Sequence, residues 1–369
     1  MWQAVVEEDR RLAAHLAFVA PPGAVSGAEP TGGNIYDRRM VEGLRAAGLQ
    51  VTFTAAAGSW PRPSREDRAG LARVLDQISD DAPVVLDGLI ACSAPDVLAG
   101  HAERLRLVVL VHMPLGDDVG LPAQVAAELA DRERRTLRMA RAVVATSNAT
   151  ADRLRRSHGL DVQVVEPGVD PAPGARPSTR GDRLLCVASV APVKGQDVLV
   201  DALAALTDLP WHCRCVGAER HADFAASVRR RIADLGLTDR IVLAGAQTDD
   251  QLEASYAESD LLVLPSRAES YGMVVVEALA RGIPVVASAV GGLLEAVGTT
   301  SIGPPGILVP PDDPPALAAA VRTWLTSRAE RDRLRGAAHE RRTALEPWSA
   351  AARRFATVLR RLTPSGTAS

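Results

Sequence analysis

The stretch "DLLVLPSRAESYGMVVVEALARGIPVV", residues 260–286, holds the pattern that decides the fold. Its first apolar run predicts a buried strand that ends at Pro265–Ser266, and Gly272 opens a helix. A second apolar strand follows at 283–287. Strand, helix and strand in this order form a βαβ unit, so the stretch predicts a parallel sheet covered by helices.

The same alternation of short apolar runs and helical segments extends along the chain. The segment "EPGVDPAPGARPSTRGD", residues 166–182, is rich in Pro, Gly and small polar residues and is the best candidate linker. A length of 369 residues suits two domains. Strands are predicted at 12–20, 49–54, 83–87, 106–111, 141–146 and 162–165 before the linker, and at 183–190, 211–217, 240–244, 260–264 and 283–287 after it.

The expected architecture is therefore α/β, with two doubly wound Rossmann-like parallel-sheet domains facing each other across a cleft. The domains are predicted at 1–170 and 171–346, joined near 170–180 and followed by a terminal helix at 347–369. Ligands of such sheets bind at the carboxyl ends of the strands, and the cleft between two such domains is the expected site.

Composition and charge argue against several classes of function. A net charge of −3 gives no electrostatic reason to expect nucleic-acid binding, and 3% aromatic residues argue against base-stacking platforms. The N-terminal "MWQAVVEEDRR" is acidic where a secretory signal is basic, and no apolar stretch approaches the ~18 to 20 residues of a membrane span. A cytoplasmic protein is expected. Basic clusters such as "RLRRSHG" are interpreted as solvated helix faces, with binding to an anionic membrane surface as the alternative.

The four cysteines, Cys92, Cys186, Cys213 and Cys215, fit no zinc or redox spacing. In "WHCRC", residues 211–215, alternation along a strand places Cys213 and Cys215 on one face and His212 on the other. Core thiols are therefore expected here, rather than a metal site.

Gly32 and Gly33 follow the first strand and precede a helix in "PTGGNIYDRRMVEGL". Glycines at such a point let backbone N–H groups approach an anion, and Asn34 is the expected N-cap of the helix. The pattern is not G-x-G-x-x-G, and no acidic residue follows at the distance expected for a nicotinamide ribose, so a Rossmann dehydrogenase is disfavoured. Phosphate binding and a plain tight turn are equal alternatives for this loop on its own.

Lys194 is the only lysine among 42 basic residues. In "CVASVAPVKGQD", residues 186–197, the pair Lys194–Gly195 separates a strand from a helix. A phosphate at this junction would meet an ammonium group and a helix N-terminus together, and a mobile ammonium group serves phosphate differently from the rigid fork of arginine. Codon bias with one lysine left over is the alternative explanation.

Glu269 lies in the loop before Gly272, and Glu277 follows Glu269 by eight residues. The two carboxylates would be ~12 Å apart if the intervening stretch is helical, which is too far for a hydrolase pair. The spacing instead suits two hydroxylated ends of an elongated ligand whose phosphates face the helix N-terminus. Two unrelated, solvated glutamates are the alternative.

Together these segments resemble the family 4 retaining glycosyltransferases, which have the GT-B fold. "PSRAESYGMVVVEALARGIPVVAS" with the later "GG" is similar to the E-x7-E signature of that family, and "SVAPVKGQDVLVDAL" to its G-R-L-x-P-x-K-G segment. "TGGNIYDRRMVEGLRAAG" resembles its N-terminal Gly-Gly loop and helix, and "EPGVD" its interdomain P-N-G-V-D. The resemblance covers nearly the whole chain and is stronger in 183–320 than in 1–165.

The resemblance implies roles for residues of the C-terminal domain. Lys194 would neutralise the diphosphate of a nucleotide-sugar donor, and Glu277 would accept hydrogen bonds from the ribose hydroxyls. Glu269 would contact hydroxyls of the transferred sugar, near the backbone N–H groups of Gly272 and Met273.

For the N-terminal domain, the resemblance implies that Gly32 and Gly33 approach the phosphates. His112, at the end of a strand in "VLVHMPLG", would act near the donor sugar, so the implied catalytic residues are His112, Lys194 and Glu269. The tail "EPWSAAARRFATVLRRL" would form a last helix that returns to the N-terminal domain. A terminal helix on its own domain is the alternative.

Two segments depart from the family pattern. Ser189 stands five residues before Lys194, where the family usually has a phosphate-binding arginine, and Arg267 is the candidate replacement by position. Glu166 and Pro167 replace the usual Pro-Asn before "GVD". Because the arginine at this position is missing, a catalytically weakened nucleotide-sugar-binding protein remains an alternative.

The expected function is transfer of a sugar from a nucleoside-diphosphate donor to an unidentified acceptor, with retention implied by the resemblance alone. No D-x-D motif occurs in the sequence, so neither a metal ion nor another cofactor is expected. UDP is favoured over GDP as the nucleotide. A nucleotide-sugar epimerase of the same architecture is the alternative enzyme, and the chain is too short for a glycogen-phosphorylase-like enzyme.

Overall fold

The computed structural model describes residues 15–27, 31–117 and 120–362. The chain divides into two compact units, one formed by Met1–Gly168 with Glu346–Ser369 and the other by Val169–Leu345. The N-terminal segment 1–14, which includes the start of the strand predicted at 12–20, lies outside the described residues.

The first unit contains a six-stranded parallel sheet with the strand order β2-β1-β3-β4-β5-β6. Because the order reverses between β1 and β3, the sheet is doubly wound. The strands predicted at 83–87 and 106–111 are confirmed with the same bounds. The strands are β1 Leu16–Ala20, β2 Val51–Ala55, β3 Pro83–Asp87, β4 Arg106–Val111, β5 Ala142–Ala145 and β6 Gln163–Val164.

Helices follow most of these strands, and polar side chains fix where several of them begin. For the helix Arg65–Asp76, the N-cap Ser64 and Asp67 form a reciprocal capping box, which satisfies two N–H groups at once. The helices of this unit are α1 Pro22–Ser26, α2 Gly32–Ala46, α3 Arg65–Asp76, α4 Gly88–Ala91, α5 Pro95–Ala99, α6 Ala123–Met139, α7 Asn148–His158 and, from the end of the chain, α15 Trp348–Arg361.

The second unit contains another six-stranded parallel sheet, with the order β12-β11-β10-β7-β8-β9. Its reversal falls between β7 and β10, which is the Rossmann arrangement. The predicted α/β fold with two doubly wound sheets is confirmed, although the short strand β12 was not predicted. The strands are β7 Arg183–Val187, β8 His212–Val216, β9 Ile241–Gly245, β10 Leu261–Leu264, β11 Val285–Ser288 and β12 Gly306–Val309.

The helices of the second unit pack on both sides of this sheet in the same βαβ manner. They are α8 Gln196–Ala204, α9 Ala222–Asp234, α10 Asp249–Ala257, α11 Met273–Ala280, α12 Leu293–Val297, α13 Pro314–Thr326 and α14 Arg328–Ala344. The alternation predicted for "WHCRC" is confirmed, because Cys213 and Cys215 are buried and His212 is exposed.

The Pro- and Gly-rich segment 166–182 forms no helix or strand, yet it is held against the second unit. The N–H groups of Ala175 and Arg176 donate to the carbonyl oxygens of Arg281 and Ala257 at 2.9 and 2.8 Å. Ser178 Oγ donates to the buried Asp260 at 2.8 Å. Most of the predicted linker is therefore part of the second unit, not a free connection.

The terminal helix α15 belongs to the first unit, where it packs on α2. Trp348 and Phe355 are buried, and the Trp348 ring meets the ring of Tyr36 edge to face with 5.6 Å between centroids. Among the described residues, no helix combines the length and the apolar content needed to cross a bilayer.

Candidate active site

Two loops of the second unit leave neighbouring strands at the point where the strand order reverses. β7 and β10 are hydrogen-bonded neighbours, and β8 and β11 lie on opposite sides of this pair. Loop 188–195 follows β7, and loop 265–272 follows β10. Ligands of doubly wound sheets bind at such a switch point, because the diverging connections leave a crevice at the carboxyl ends of the strands.

Lys194 and Glu269 meet where these loops come together. Lys194 Nζ lies 2.5 Å from Glu269 Oε1, which also accepts a hydrogen bond from Ser266 Oγ at 3.0 Å. The two side chains are 24% and 11% exposed. The pair is therefore partly open to solvent, so that an incoming anion can compete with Glu269 for the ammonium group.

Gly195 lets the two loops touch. Gly195 is the N-cap of α8 and has a φ of +68°. A Cβ at this position would lie 2.2 Å from the carbonyl oxygen of Pro265. The glycine is therefore required for packing between the loops, before any phosphate is considered. The side chain of Gln196, which is fully buried, donates to the carbonyl oxygen of Ser189 at 2.9 Å and braces the loop before it.

The helices that follow both loops begin without a side-chain cap. Within this described part of the chain, the N-caps of α8 and α11 are Gly195 and Gly272, which have no side chain to accept a hydrogen bond from the first turn. The N–H groups of a first turn have no partner inside the helix, and the helix dipole favours an anion there. Two such helix N-termini beside Lys194 suit a diphosphate.

Gly291 and Gly292 fix the position of Glu269. A Cβ on Gly291 would lie 1.8 Å from the carbonyl oxygen of Glu269, and a Cβ on Gly292 would lie 2.4 Å from that of Ser270. The N–H of Gly292 donates to the Glu269 carbonyl oxygen at 3.2 Å. The glycine pair after β11 thus provides the surface on which the loop rests.

Glu277 lies in α11 and is held by a tyrosine. Tyr256 Oη donates to Glu277 Oε2 at 2.9 Å, and the Arg281 guanidinium lies 4.4 Å from the centre of the tyrosine ring. Burial raises the pKa of Tyr256, and the charge of Glu277 acts in the same direction, so the hydroxyl keeps its proton. Because α11 begins at Met273, the premise of a continuous helix from Glu269 to Glu277 is wrong.

In the first unit, His112 lies between two buried carboxyl groups. Its Nε2 is 2.9 Å from Asp37 Oδ1 and 3.5 Å from Asp87 Oδ2. Burial lowers the pKa of His112, but the two carboxyl groups outweigh it and raise the pKa to about 10. Ligand-type atoms of the three residues lie within 4.8 Å of one another, yet the direct contact of imidazole and carboxylate is the geometry of an ion pair rather than of metal ligands.

Gly32 and Gly33 form the first turn of α2, directly after its N-cap. The cap is Thr31, whose side chain accepts from the N–H of Asn34 at 3.2 Å, so the prediction that Asn34 is the cap is wrong. A Cβ on Gly33 would lie 3.1 Å from the His112 ring. Gly33 therefore makes room for the histidine, while its contact with a phosphate stays a prediction.

Comparison with known proteins connects both units to one family. Residues 175–341 match the model described as Glycosyl transferases group 1, and residues 30–173 match that of Glycosyltransferase Family 4. A D-inositol 3-phosphate glycosyltransferase of Catenulispora acidiphila is 30% identical over 405 residues, with 95% of each chain covered. The chain belongs to glycosyltransferase family 4. A second relative of the same name, from Kineococcus radiotolerans, is 31% identical over 95% of this chain and 94% of its own.

Solved structures agree with this family at the level of the fold. Sucrose-phosphate synthase from Thermosynechococcus elongatus has a TM-score of 0.78 at 23% identity, covering 94% of this chain and 98% of its own. Anabaena HepE in complex with UDP and glucose has a TM-score of 0.73 at 19% identity, covering 93% and 98%. The family 4 glycosyltransferase described here therefore has the GT-B fold and is a nucleotide-sugar glycosyltransferase.

The departure at Ser189 and its candidate replacement Arg267 now have a structural context. Ser189 brings no positive charge to the switch point, and its carbonyl oxygen is bound by Gln196. Arg267 pairs with both oxygens of Asp197 at 3.0 and 2.8 Å and with Asp312 at 2.5 Å. A phosphate-binding role for Arg267 in this family 4 glycosyltransferase stays a prediction, and it would require the guanidinium to leave two carboxylates.

Sequence reasoning missed several residues that shape these sites. Asp87 ends the buried strand "PVVLD", and an acidic residue at the carboxyl end of an apolar strand was the available signal. Asp37 lies four residues after Gly33 and hence on the same helix face, which its spacing indicates. Glu133, also buried, accepts from the N–H of Leu115 at 2.9 Å and anchors the loop after His112, a role that no pattern in the sequence indicates.

Proposed function

We propose that this enzyme transfers a sugar from a UDP-linked donor with retention of configuration and without a metal ion. The observation that carries the proposal is the meeting of Lys194, Glu269 and two uncapped helix N-termini at the switch point of the second unit. Glu277 lies farther along α11, on the helix whose N-terminus would face the diphosphate. The set offers a separate partner for each part of a nucleotide sugar.

The diphosphate is the leaving group, and its negative charge grows as the bond to the sugar breaks. Preorganised donors that face this charge lower the barrier, because they need no rearrangement during the reaction. Lys194 and the first-turn N–H groups of α8 and α11 are such donors. To bind the diphosphate, the ammonium group exchanges its contact with Glu269 for one with phosphate oxygen, and the freed carboxylate accepts hydrogen bonds from sugar hydroxyls.

The ribose is assigned to Glu277. An ionised carboxylate accepts two hydrogen bonds at once, which matches the adjacent hydroxyls of a ribose. Tyr256 donates to Oε2 in the contact described above, and this hydrogen bond orients the carboxylate for the proposed role. The assignments of Gly32, Gly33 and His112 to the donor rest on the family resemblance and stay part of the proposal.

We propose metal independence because positive groups of the protein already lie at the switch point. Lys194 and two helix dipoles bring positive potential to the site, which is the contribution that a divalent cation would otherwise make. Transfer in the presence of excess EDTA at an undiminished rate would support the proposal. A rate that falls with EDTA and recovers with added Mg²⁺ or Mn²⁺ would contradict it.

The acceptor is unidentified, and the relatives suggest the first compound to test. The two relatives named above are D-inositol 3-phosphate glycosyltransferases, so D-inositol 3-phosphate heads the acceptor series. Anabaena HepE was crystallised with UDP-glucose, which supports UDP-glucose as the first donor.

The test combines binding with product analysis. Thermal shifts with UDP-, GDP-, ADP- and TDP-sugars rank the donors, because a ligand that binds only the folded state raises its stability by mass action. The best donor is then incubated with each acceptor, and the anomeric configuration of the product is measured by NMR. A glycoside with the donor's anomeric configuration is expected. An epimerised donor, an inverted product or binding without turnover would each contradict the proposal.

A further inference from the structure

The first unit contains a histidine that lies between two buried acids. Asp87 is the last residue of β3, and its register partner on the adjacent β4 is Leu110, two residues before His112. Asp37 reaches the same point from α2. Asp37 and Asp87 are 0% and 3% exposed. The parallel register of β3 and β4, together with the start of α2, thus assembles the cluster of Asp37, Asp87 and His112.

The contact with Asp37 decides which nitrogen of the ring is left for other partners. His112 Nε2 faces Asp37 Oδ1, and among the described residues none forms a hydrogen bond with Nδ1. In a neutral ring Nε2 would carry the proton for Asp37, and Nδ1 would be an acceptor. In an imidazolium both nitrogens carry protons, so Nδ1–H becomes a donor.

Burial of the acids favours the imidazolium. Asp87 Oδ1 accepts from the N–H of Leu89 at 2.6 Å, but Asp37 Oδ2 is buried and has no hydrogen-bond partner among the described residues. A buried carboxylate without compensation is costly, so a positive ring beside it lowers the free energy of the cluster. The same attraction keeps the proton on His112.

The surroundings also fix the ring in place. A Cβ on Gly33 would contact one part of it, and the ring of Tyr36 meets it edge to face with 5.2 Å between centroids. Tyr36 is itself anchored, since its hydroxyl donates to the carbonyl oxygen of Val165 at 2.8 Å. The imidazole therefore has a defined orientation, not only a defined charge.

We propose that Asp37 is a positioning residue that keeps His112 as an oriented imidazolium with Nδ1–H as its free donor. His112 then acts as a fixed positive charge and hydrogen-bond donor, and not as a general base, because a ring that is already protonated accepts no proton. No proton is transferred to or from His112 during the reaction. Only the kinetic consequence rests on the proposed glycosyl transfer.

Among the described residues, two charged groups act on the ring. Asp37 on α2 and Asp87 on β3 both raise its pKa, while burial lowers it. Burial also raises the pKa of Asp37 to about 7, with His112 acting in the opposite direction. From α15, Arg354 acts on Tyr36, whose pKa is raised by burial so that the phenol stays neutral. The raised pKa of His112 means that the ring keeps its proton through neutral pH.

The direct test is NMR titration of the histidine rings in the full-length protein. The chain has seven histidines, and the His112→Gln variant identifies the signal of His112 by its disappearance. We expect the wild-type ring to remain protonated well above the ordinary histidine pKa of 6.5 and to titrate at least about one pH unit lower in Asp37→Asn. Asparagine keeps the shape and an acceptor oxygen but removes the charge.

A matched control is available in the same unit. Asp76 lies 3.8 Å from His101 in a second acid–histidine pair, in which Asp76 is 66% exposed. Asp76→Asn should leave both the His112 signal and the turnover unchanged. If Asp37→Asn does not fold, Asp87→Asn tests the same effect with a smaller shift, because its contact is longer. A wild-type His112 that titrates near 6.5, or an unchanged titration in a folded variant, would overturn the proposal.

The kinetic readout separates positioning from mere support of the fold. In Asp37→Asn we expect kcat to decline as the pH rises through the lowered pKa of His112, and to recover at lower pH where the ring is protonated again. The KM for the donor should change less than kcat. A folded variant with a lowered His112 pKa and wild-type kcat would refute the catalytic role of the cation. If the titration agrees but no donor is turned over, the proposed function fails and the role of Asp37 in holding His112 stands.

Discussion

The switch points of the two sheets handle charge in opposite ways. At the first, His112 is matched by two buried acids, and the nearby helix α2 begins with a side-chain cap from Thr31. At the second, Lys194 is partly exposed and shares one carboxylate oxygen with Ser266, beside helices that begin without side-chain caps. The first cation is locked to its own unit, whereas the second can exchange its partner.

Under the proposed function, this difference assigns the anion whose charge changes during the reaction to the second switch point. A cation held between buried acids offers a constant field, which suits a group that must only be oriented. A mobile ammonium group beside free N–H donors follows charge as it develops, which suits a leaving group. Changes at the second switch point should therefore alter catalysis most, and changes at the first should mainly alter pH dependence.

The largest effect is expected for Gly291→Ala. The new Cβ would lie 1.8 Å from the Glu269 carbonyl oxygen, so the loop that carries Glu269 must move. A displacement of about 1 Å in a catalytic group lowers the rate by roughly 100-fold, and we expect at least this loss in kcat/KM. Steady-state kinetics and thermal unfolding of the purified variant provide the measurement.

Gly236→Ala is the control for this change. Gly236 also has a left-handed backbone, with a φ of +66°, but a Cβ there would meet nothing within 4 Å. The substitution should cost about 1 kcal/mol of stability from backbone strain alone and leave kcat/KM unchanged. Equal kinetic losses in the two variants would show that strain, not contact with Glu269, is responsible.

The next effect concerns the ribose. Glu277→Gln removes a charged acceptor, and we expect a loss of ~1.5 to 3 kcal/mol in donor binding, seen mainly as a higher donor KM. Tyr256→Phe removes one neutral hydrogen bond to the same carboxylate and should cost less, about 1 kcal/mol. Unchanged affinity of Glu277→Gln for the free nucleotide would remove Glu277 from the ribose site.

A smaller loss is expected for Lys194→Arg, a substitution that conserves charge. The wider, planar guanidinium cannot follow the diphosphate in the same way, so kcat should decrease at least tenfold, ~1.4 kcal/mol in the barrier, without a change in melting temperature. The reverse exchange at an exposed pair, Arg322→Lys beside Asp208, is the control and should leave turnover intact. Wild-type turnover of Lys194→Arg would leave codon bias as the explanation of the single lysine.

The smallest effect is a pH dependence of stability at the first switch point. His112 has a pKa raised from 6.5 to about 10, so its protonation stabilises the fold below pH 6.5 and this contribution is lost as the pH rises toward 10. The Asp37→Asn, His112→Gln double variant lacks both charges. Relative to it, wild type should lose stability progressively between about pH 7 and about pH 9 in denaturant unfolding. Parallel stability curves would show that the ring does not titrate with folding.

The sheets were predictable because their strands are short apolar runs bounded by loops and helices. The strand over 83–87 was predicted to the residue, since Pro83 and Asp87 bound an apolar core. The strand β12 was missed because "GILV" lies between prolines and shows no alternation. Local pattern was sufficient where the strand has its own boundaries, and insufficient where only pairing with β11 defines it.

The site could be predicted only where a residue stands out in the sequence by its chemical type. The single lysine and the two glutamates stand out in the sequence, and Lys194 does contact Glu269. Their exact relation did not follow, because Gly272 ends the loop and starts the helix later than a continuous pattern implies. Asp37 and Asp87 were not singled out from the sequence, since their burial arises only when α2, β3 and β4 come together.

The return of α15 to the first unit has a consequence for biosynthesis. The first unit is interrupted after Gly168 and resumes at Glu346, so a ribosome completes all of Val169–Leu345 before the helix that covers α2 is made. Until then Tyr36 lacks the Trp348 ring that packs on it. Domains fold as units during synthesis, so the second unit can fold first while the unit that holds His112 waits for α15. The last helix thus sets the order in which the two halves of the enzyme become competent.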